Sequence, residues 1–266
     1  MTRDCVIASG ALQRISLILE KASPNTSFLR NASWALSNLC RGRPQPDYAR
    51  VKDAVPTLIK VLIENENPDI ITDICWALSY LSDGAKENIH VMLNDDLVRK
   101  LIALMNHQNV AIAIPCLRTI GNIVTGGDDQ TQKCVDFGLV GALSSLLSHP
   151  KKSVRKEGCW VLSNVTAGTE AQIQDCLDKG IVEKLVEILE HDDLTVKNEA
   201  IWALCNCTAS ASPAQYHQLV NKGILRALGK TLGQKDARML AVALEGLENV
   251  LECGEKNFKN TDGENQ

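Results

Sequence analysis

The sequence predicts an all-α fold, a right-handed superhelical solenoid of about six repeated units with three helices each. The first observation is a period of 42 residues that runs through most of the chain. The second is that apolar residues recur at the 3.6-residue spacing of a buried helical face. The third is that no segment shows the alternating pattern of a half-buried strand, so no strands are expected.

The period is carried by three columns of residues. The tryptophan column, with arginine at one position, contains Trp34, Trp76, Arg118, Trp160 and Trp202. Four residues later the column reads Asn38, Tyr80, Asn122, Asn164 and Asn206. Eight residues after the first column stand Gly42, Gly84, Gly126, Gly168 and Ser210. After one inserted residue near 210–213, Glu245 and Asn249 continue the first two columns. One unit cannot bury its apolar faces alone, so stacked neighbours must form the core.

Each unit is expected to hold one long and two shorter helices. The long helix carries the tryptophan, as in 194–209, and is predicted to end at the glycine that follows. The second helix, as in 181–189, follows another glycine column: Gly10, Gly138, Gly180 and Gly223. Short stretches such as 85–93 and 170–178 supply the third. Three helices in about 42 residues fit an armadillo-type repeat. Residues 1–254 form the predicted array, and 255–266 a disordered polar tail.

Composition and charge exclude several classes of protein. The 266 residues include 10 cysteines and carry a net charge of −4, which argues against a nucleic-acid partner. No apolar window is long enough for a membrane span, and no signal peptide opens the chain. The cysteines are expected to be reduced and mostly buried, and Cys205 and Cys207 lack the partners of a zinc site. We expect no metal and no cofactor.

No catalytic motif is present either. The sequence lacks a Gly-rich phosphate loop, a nucleophile elbow and a pair of metal ligands, so the protein is not expected to be an enzyme. Residues 126–129, Gly-Gly-Asp-Asp, are interpreted as a helix stop followed by a helix cap rather than as a calcium loop.

The long helices have one apolar face and one polar, aromatic face. Positions one, two and five residues after each tryptophan are apolar and are predicted to form the core. The opposite face combines indoles, carboxamides and carboxylates. Its rows are Asn31-Trp34-Asn38-Arg41, Asp73-Trp76-Tyr80-Asp83, Pro115-Arg118-Asn122-Thr125, Glu157-Trp160-Asn164-Ala167 and Glu199-Trp202-Asn206-Ala209.

This face is suited to an extended, positively charged peptide. A carboxamide can pair with both the N–H and the C=O of a peptide backbone. Neighbouring indoles can form slots for the stems of lysine or arginine, whose charged ends would meet the carboxylates. Three other interpretations remain open: the tryptophans could be core residues, the asparagines a ladder between repeats, and the carboxylates an ordinary solvated face.

Four segments resemble the importin-α family closely. They are Ser33-Trp-Ala-Leu-Ser-Asn-Leu-Cys-Arg41, Cys75-Trp-Ala-Leu-Ser-Tyr-Leu-Ser-Asp-Gly84, Arg118-Thr-Ile-Gly-Asn-Ile-Val-Thr-Gly126 and Gly158-Cys-Trp-Val-Leu-Ser-Asn-Val-Thr-Ala-Gly168. The resemblance extends to about Cys253, and Tyr80 and Arg118 resemble the family's interruption between two binding segments. It implies a nuclear-import adaptor of cytoplasm and nucleus that binds Lys/Arg-rich nuclear localisation signals in an acidic, Trp/Asn-lined groove.

The resemblance also implies which residues bind the signal. A complete minor site would comprise Glu157, Trp160, Asn164, Glu199, Trp202 and Asn206, with Asn122, Thr125 and Asp128 nearby. The partial major site would comprise Trp34 and Asn38, with Asn31, Asp73 and Trp76.

The sequence departs from the family in two respects. The chain has no basic N-terminal segment of the kind that binds importin-β, and it stops before the family's last repeat, so it resembles a fragment or a short form. One alternative is a β-catenin-type scaffold with a basic groove, against which Asp73, Glu157 and Glu199 argue. The other is an armadillo scaffold that holds protein partners without binding signal peptides.

Overall fold

A computed structural model describes residues 2–21, 27–84 and 89–257, and these residues form helices and connecting turns with no strand. The helices, numbered in chain order, are α1 (Thr2–Ala8), α2 (Ala11–Lys21), α3 (Ser27–Cys40), α4 (Tyr48–Val51), α5 (Val55–Glu64), α6 (Pro68–Ser82), α7 (Asp95–Met105), α8 (Val110–Val124), α9 (Asp128–Asp136), α10 (Leu139–Leu146), α11 (Lys152–Thr166), α12 (Glu170–Asp178), α13 (Ile181–His191), α14 (Leu194–Ala209), α15 (Pro213–Asn221), α16 (Ile224–Thr231) and α17 (Ala237–Asn257).

The helices form two compact units, residues 1–126 and 127–266. In the first unit the long helices α3, α6 and α8 pack in succession, as do α2, α5 and α7. In the second unit α11, α14 and α17 pack in succession, with α10, α13 and α16 as a second row. Within each unit, these helices of one repeat therefore stack on their counterparts in the next. The predicted all-α class and its armadillo-type repeats are confirmed.

Short polar side chains determine where several helices begin. Asn67 precedes α6 and accepts hydrogen bonds from the backbone N–H groups of Asp69 and Ile70. Asp193 caps α14 in the same way by accepting from the N–H of Thr195. These bonds satisfy N–H groups that have no partner inside the helix. The predicted bounds 170–178 and 194–209 match α12 and α14.

The long helices end beside the glycine column that follows the tryptophans, as predicted. α8 and α11 end at Val124 and Thr166, two residues before Gly126 and Gly168. Positive φ occurs in this column at Gly42, where φ is 124°, and in the other column at Gly10, Gly138, Gly180 and Gly223, where φ is 78°, 89°, 69° and 90°. The last three make the turn between the first and the second helix of a repeat.

A glutamine column, which was not predicted from the sequence, connects the short helices of the second unit. Gln172 Oε1 accepts from the N–H of Thr169, and its Nε2 donates to the backbone oxygen of Asp128 in the preceding repeat at 3.0 Å. Gln215 repeats the pattern with Ser212 and the backbone oxygen of Glu170, at 3.0 and 2.7 Å. These side chains therefore cap their own helix and tie it to its neighbour.

The predicted apolar face of the long helices forms the core. Leu78, Leu162 and Leu204 are completely buried, and Ala35 and Leu39 of the first repeat are half-buried. Nine of the ten cysteines are buried free thiols. Burial raises the pKa of Cys40 to about 12, so this thiol stays protonated.

Two predicted segments fall partly outside the described residues. The helix expected at 85–93 includes 85–88, and the tail expected at 255–266 includes 258–266. The last helix continues to Asn257, three residues into the predicted tail. Among the described residues no helix combines the length and the apolar character that a membrane crossing requires.

Candidate peptide-binding surface

The polar, aromatic face of the long helices lies on the surface of each unit. We call its part on α3, α6 and α8 the N-terminal stripe, and its part on α11 and α14 the C-terminal stripe. Trp34 and Trp202 are 62% and 45% exposed, and Trp160 and Trp76 are half-buried. Pro115 departs from the expected pattern because it is buried within α8. The tryptophans are thus not residues of the hydrophobic core.

The C-terminal stripe brings two equivalent rows together on helices that pack against each other. Glu157, Trp160 and Asn164 lie on α11, and Glu199, Trp202 and Asn206 lie on α14. Both carboxylates are half-buried. Burial raises the pKa of Glu199, Lys156 lowers it, and the neighbouring charge of Glu157 raises it further. Since desolvation and repulsion dominate, this pair of carboxylates gains from an additional cation.

The asparagine column forms a hydrogen-bonded ladder between repeats. Asn206 Nδ2 donates to the backbone oxygen of Ser163 on α11 at 2.8 Å. Asn122 Nδ2 donates to the backbone oxygen of Ser79 on α6 at 3.1 Å, and Asn249 donates to Thr208 Oγ1 at 3.0 Å. The ladder interpretation therefore holds for these three side chains. The ladder uses Nδ2 as a donor, twice in Asn122, which also donates to Ser82 Oγ at 3.0 Å. Each carboxamide also has an oxygen acceptor.

The other two asparagines bond within their own helix. Asn38 Nδ2 donates to the backbone oxygen of Trp34 at 2.8 Å, and Asn164 Nδ2 donates to that of Trp160 at 3.3 Å. These contacts tie each amide to the backbone one turn earlier on its own helix and leave its oxygen outside the bond.

The N-terminal stripe carries an aromatic and cationic stack. The rings of Trp76 and Tyr80 stack with their centroids 5.7 Å apart. The guanidinium carbon of Arg118 lies 5.9 Å from the centroid of the Trp76 ring, a cation–π contact. Arg118 extends from α8 and thus occupies the place where a ligand cation could stack on Trp76. This part of the stripe differs chemically from the rows of the second unit.

Asp73 is the most perturbed carboxyl of the N-terminal stripe. Burial, with a smaller contribution from the charge of Asp69, raises its pKa to about 6.

Three further predicted site residues are exposed. Asn31 is exposed at one end of the stripe. Thr125 is exposed just after α8, where its hydroxyl donates to the backbone oxygen of Asn122 at 2.7 Å. Asp128 is an exposed residue at the start of α9 in the second unit.

Two features of the C-terminal stripe were not predicted from the sequence. Lys156 acts on Glu199 from the next helix, although only its adjacency to Glu157 is visible in the sequence. Lys235 and Arg238, which follow α16, border a cleft beside Trp202. The cleft could have been found by continuing the 42-residue register into the last repeat, which places Lys235 and Arg238 next to the row of Trp202. No group of three or more potential metal-ligating side chains occurs among the described residues.

Comparisons with known proteins agree with the repeat architecture. The armadillo/beta-catenin-like repeat family matches residues 2–41, 127–167 and 169–209, and the HEAT-like repeat family matches residues 27–81. A designed armadillo repeat protein, solved in complex with the peptide (KR)4, superposes with a TM-score of 0.81 at 26% identity. That match covers 90% of this chain and 99% of the designed one. An engineered protein superposes with a TM-score of 0.86 at 26% identity, covering 94% and 60%.

The curated relatives are subunits of importin-α. Importin subunit alpha-1a of Oryza sativa subsp. japonica is 43% identical over 71 residues, which are 27% of this chain and 13% of the relative. Importin subunit alpha-1 of Schizosaccharomyces pombe is 41% identical over 74 residues, again 27% and 13%. The chain therefore matches about an eighth of the length of these relatives. Armadillo repeats are thus matched in both units, and a segment of about 70 residues is similar to importin-α subunits.

Proposed function

We propose that this protein is a nuclear-import adaptor that binds Lys/Arg-rich nuclear localisation signals rather than catalysing a reaction. The C-terminal stripe is the principal site, and Trp34, Asn38, Asn31, Asp73 and Trp76 form a partial second site. Asp128 contributes at the edge of the principal site, and Asn122 and Thr125 belong with the partial site of the first unit. Such a protein acts in the cytoplasm and the nucleus.

One observation carries the proposal: two adjacent helices each present a carboxylate, an indole and a carboxamide in the same order. Packed helices are about 10 Å apart, which matches about three residues of an extended peptide. A peptide with a basic residue at this spacing would place one aliphatic stem on each indole. Glu157 and Glu199 would then neutralise the cationic ends.

The relatives and the structural neighbours support the same chemistry. Importin-α subunits match in sequence, and a designed neighbour was solved with an alternating Lys/Arg peptide. For this chain we expect micromolar affinity for such a peptide, a binding free energy of about −8 kcal/mol.

Peptide titration of stripe variants tests the proposal. Fluorescently labelled (KR)4 is titrated against the wild type, the double variant Trp160→Ala/Trp202→Ala and the control Leu194→Ala. Leu194 is a suitable control because it is 51% exposed on the same helix as Trp202 but lies outside the stripe. We expect at least a tenfold loss of affinity in the double variant and no change in the control.

Glu199→Arg is a second variant that should abolish binding, while Glu199→Gln should weaken it. Circular dichroism and thermal melting show whether each variant keeps its fold. Equal affinity of the wild type and the double tryptophan variant would overturn the proposal. That result is also the one expected of a scaffold that holds other protein partners without binding signal peptides.

A further inference from the structure

A cleft of about 590 Å³ adjoins the C-terminal stripe on the side of the last repeat. It lies between α14 and the beginning of α17. Its walls include Asn198, Glu199 and Trp202 from α14, and Lys235, Asp236 and Arg238 from the start of the last long helix. The cleft thus borders both the acidic stripe and two basic side chains.

The two cations of this cleft are not neutralised by the protein. Lys235 and Arg238 are exposed, and their side chains form no ion pair or hydrogen bond with any described residue. The preceding junction is different. There Arg155 donates two hydrogen bonds of 2.6 Å to the carboxylate of Asp192, and Lys152 pairs with Asp193 at 3.3 Å.

The repeat register explains the difference. Arg155 and Asp192 correspond, one repeat later, to Lys197 and Lys235. Two lysines cannot form the ion pair that the preceding junction has. Lys197 donates instead to the backbone oxygen of Glu190 at 3.1 Å. Lys235 therefore stays available at the cleft.

The remaining polar groups of the cleft have defined roles. Asp236 Oδ1 accepts from the N–H groups of Arg238 and Met239, at 2.9 and 3.1 Å, so it caps α17. Asn198 Oδ1 is buried without a hydrogen-bond partner among the described residues. Because such an atom normally has a partner, an N–H group of the bound peptide, and not its anionic group, would be the matching donor. Glu199 lies on the opposite wall and belongs to the stripe.

We propose that this cleft is an anion subsite of the peptide-binding surface. It takes the carboxylate or phosphate of a residue that flanks the basic residues of the bound peptide. Glu199 and Trp202 hold a cationic side chain, and Arg238 and Lys235 hold the anionic one. A guanidinium can bind either anion through two parallel hydrogen bonds. The inference rests on the proposed function and specifies the sequence preference of that site.

The subsite also implies that some peptide residues bind poorly. A lysine or arginine placed at this position of the peptide meets two like charges, which disfavours longer basic runs. Since one repeat corresponds to about three residues of extended peptide, the anionic residue is expected within about three positions of the basic residue on Trp202.

The experiment uses a peptide with a KRKR core that is flanked at that distance by Glu, phosphoserine, Ala or Lys, on either the N-terminal or the C-terminal side. Affinities are measured by titration against the wild-type chain. On one of the two sides we expect the Glu peptide to bind about tenfold more tightly than the Lys peptide. We expect the Ala peptide to lie between them. A further gain for phosphoserine, which carries more charge, identifies phosphate as the better ligand.

Charge reversal in the cleft provides the control. Arg238→Glu combined with Lys235→Ala should reverse the order, so that the Lys-flanked peptide binds best. The fold should persist because position 238 lies in the first turn of α17, where an acidic side chain is favourable. Arg238→Lys should keep the order of the wild type.

The outcomes separate the two proposals. Equal affinities of the Glu, Ala and Lys peptides on both sides, or an unchanged order in the charge-reversed variant, overturn the anion subsite. If the KRKR core still binds and depends on Trp160 and Trp202, the proposed function stands without the subsite. Failure of every flanked peptide to bind overturns both.

Discussion

At the scale of single residues, Asp73 shows how burial changes the properties of a carboxyl on the N-terminal stripe. Burial raises its pKa from 3.8 to about 6, and the charge of Asp69 contributes in the same direction. Because the folded pKa lies above the unfolded one, the uncharged carboxyl favours the folded state. This stabilisation is complete below pH 3.8 and is lost as the pH rises through 6.

Asp73→Asn is therefore expected to stabilise the protein at neutral pH. The amide stays uncharged at every pH, so the variant should gain about 1 kcal/mol of unfolding free energy at pH 7, a value discounted for the solvent screening of a half-buried group. At pH 4 the two proteins should be equally stable. Urea unfolding between pH 4 and 7 measures the difference. Asp83→Asn, at the exposed end of the same row, serves as control, and equal curves for all three proteins would contradict the prediction.

The asparagines show why some of the site could be predicted from the sequence and some could not. Their position on the stripe follows from the 42-residue register, which fixes the helical face. Their hydrogen bonds do not follow, because Asn206 and Asn164 have the same place in the pattern but different acceptors, Ser163 and Trp160. The acceptor depends on how closely the neighbouring helix approaches, which no single column specifies.

At the scale of helices and turns, the sequence predicted the extent of the helices better than the backbone conformation of the glycines between them. The bounds of α12 and α14 were correct, and α8 and α11 end within two residues of the predicted glycine stop. Which glycines adopt a positive φ was not predicted, because a glycine column alone does not state its φ. Gly168 has a different reason to be glycine: a Cβ there would lie 1.9 Å from Gln172 Oε1. The glutamine side chain that caps α12 occupies that space.

Two glycines, one just before α10 and one inside it, allow a matched test of the left-handed turn. Gly138 has φ of 89°, and an added Cβ would meet nothing within 4 Å, so Gly138→Ala should cost about 1 kcal/mol through backbone strain alone. Gly141 lies within α10, where alanine is a better helix former, so Gly141→Ala should stabilise by about 0.5–1 kcal/mol. Thermal unfolding distinguishes them. A stabilised Gly138→Ala variant would show that the left-handed turn is not required.

The glutamine column predicts a connection between neighbouring repeats. Gln172 is 1% exposed and bonds both Thr169 and Asp128. Gln172→Ala should lower the unfolding free energy by about 1–3 kcal/mol, because it leaves a buried donor and acceptor without partners. Gln132→Ala removes an exposed hydrogen bond of 2.8 Å to Asp136 and a contact of 3.2 Å to Gln172, and it should cost less. Chemical denaturation of both variants tests the order, and equal losses would refute the double role of Gln172.

At the scale of the whole molecule, each repeat gains its core from its neighbours, and the net charge is −4. The repeat period alone was sufficient to predict the class of fold, because it states that one unit recurs and must stack. The period was not sufficient to predict the charges between α14 and the start of α17. There the register continues, but Lys197 and Lys235 replace the ion pair of the junction before it. A repeat thus predicts geometry, while the chemistry of each position is set by its own residue.

The negative charge of the chain and of its carboxylate rows predicts that peptide affinity depends on salt concentration. Affinity for (KR)4 should fall at least tenfold between 50 mM and 500 mM NaCl, because screening shortens the range of charge pairing from more than about 10 Å to a few ångströms. The folded state should be affected less, since its core is apolar and its inter-repeat ladder is uncharged. Peptide titration and thermal melting across the same salt series measure the two effects. A peptide of reversed charge, (DE)4, should not bind at any salt concentration. Constant affinity for (KR)4 would mean that the indoles and carboxamides alone hold the peptide, and that Glu157 and Glu199 are solvated surface residues.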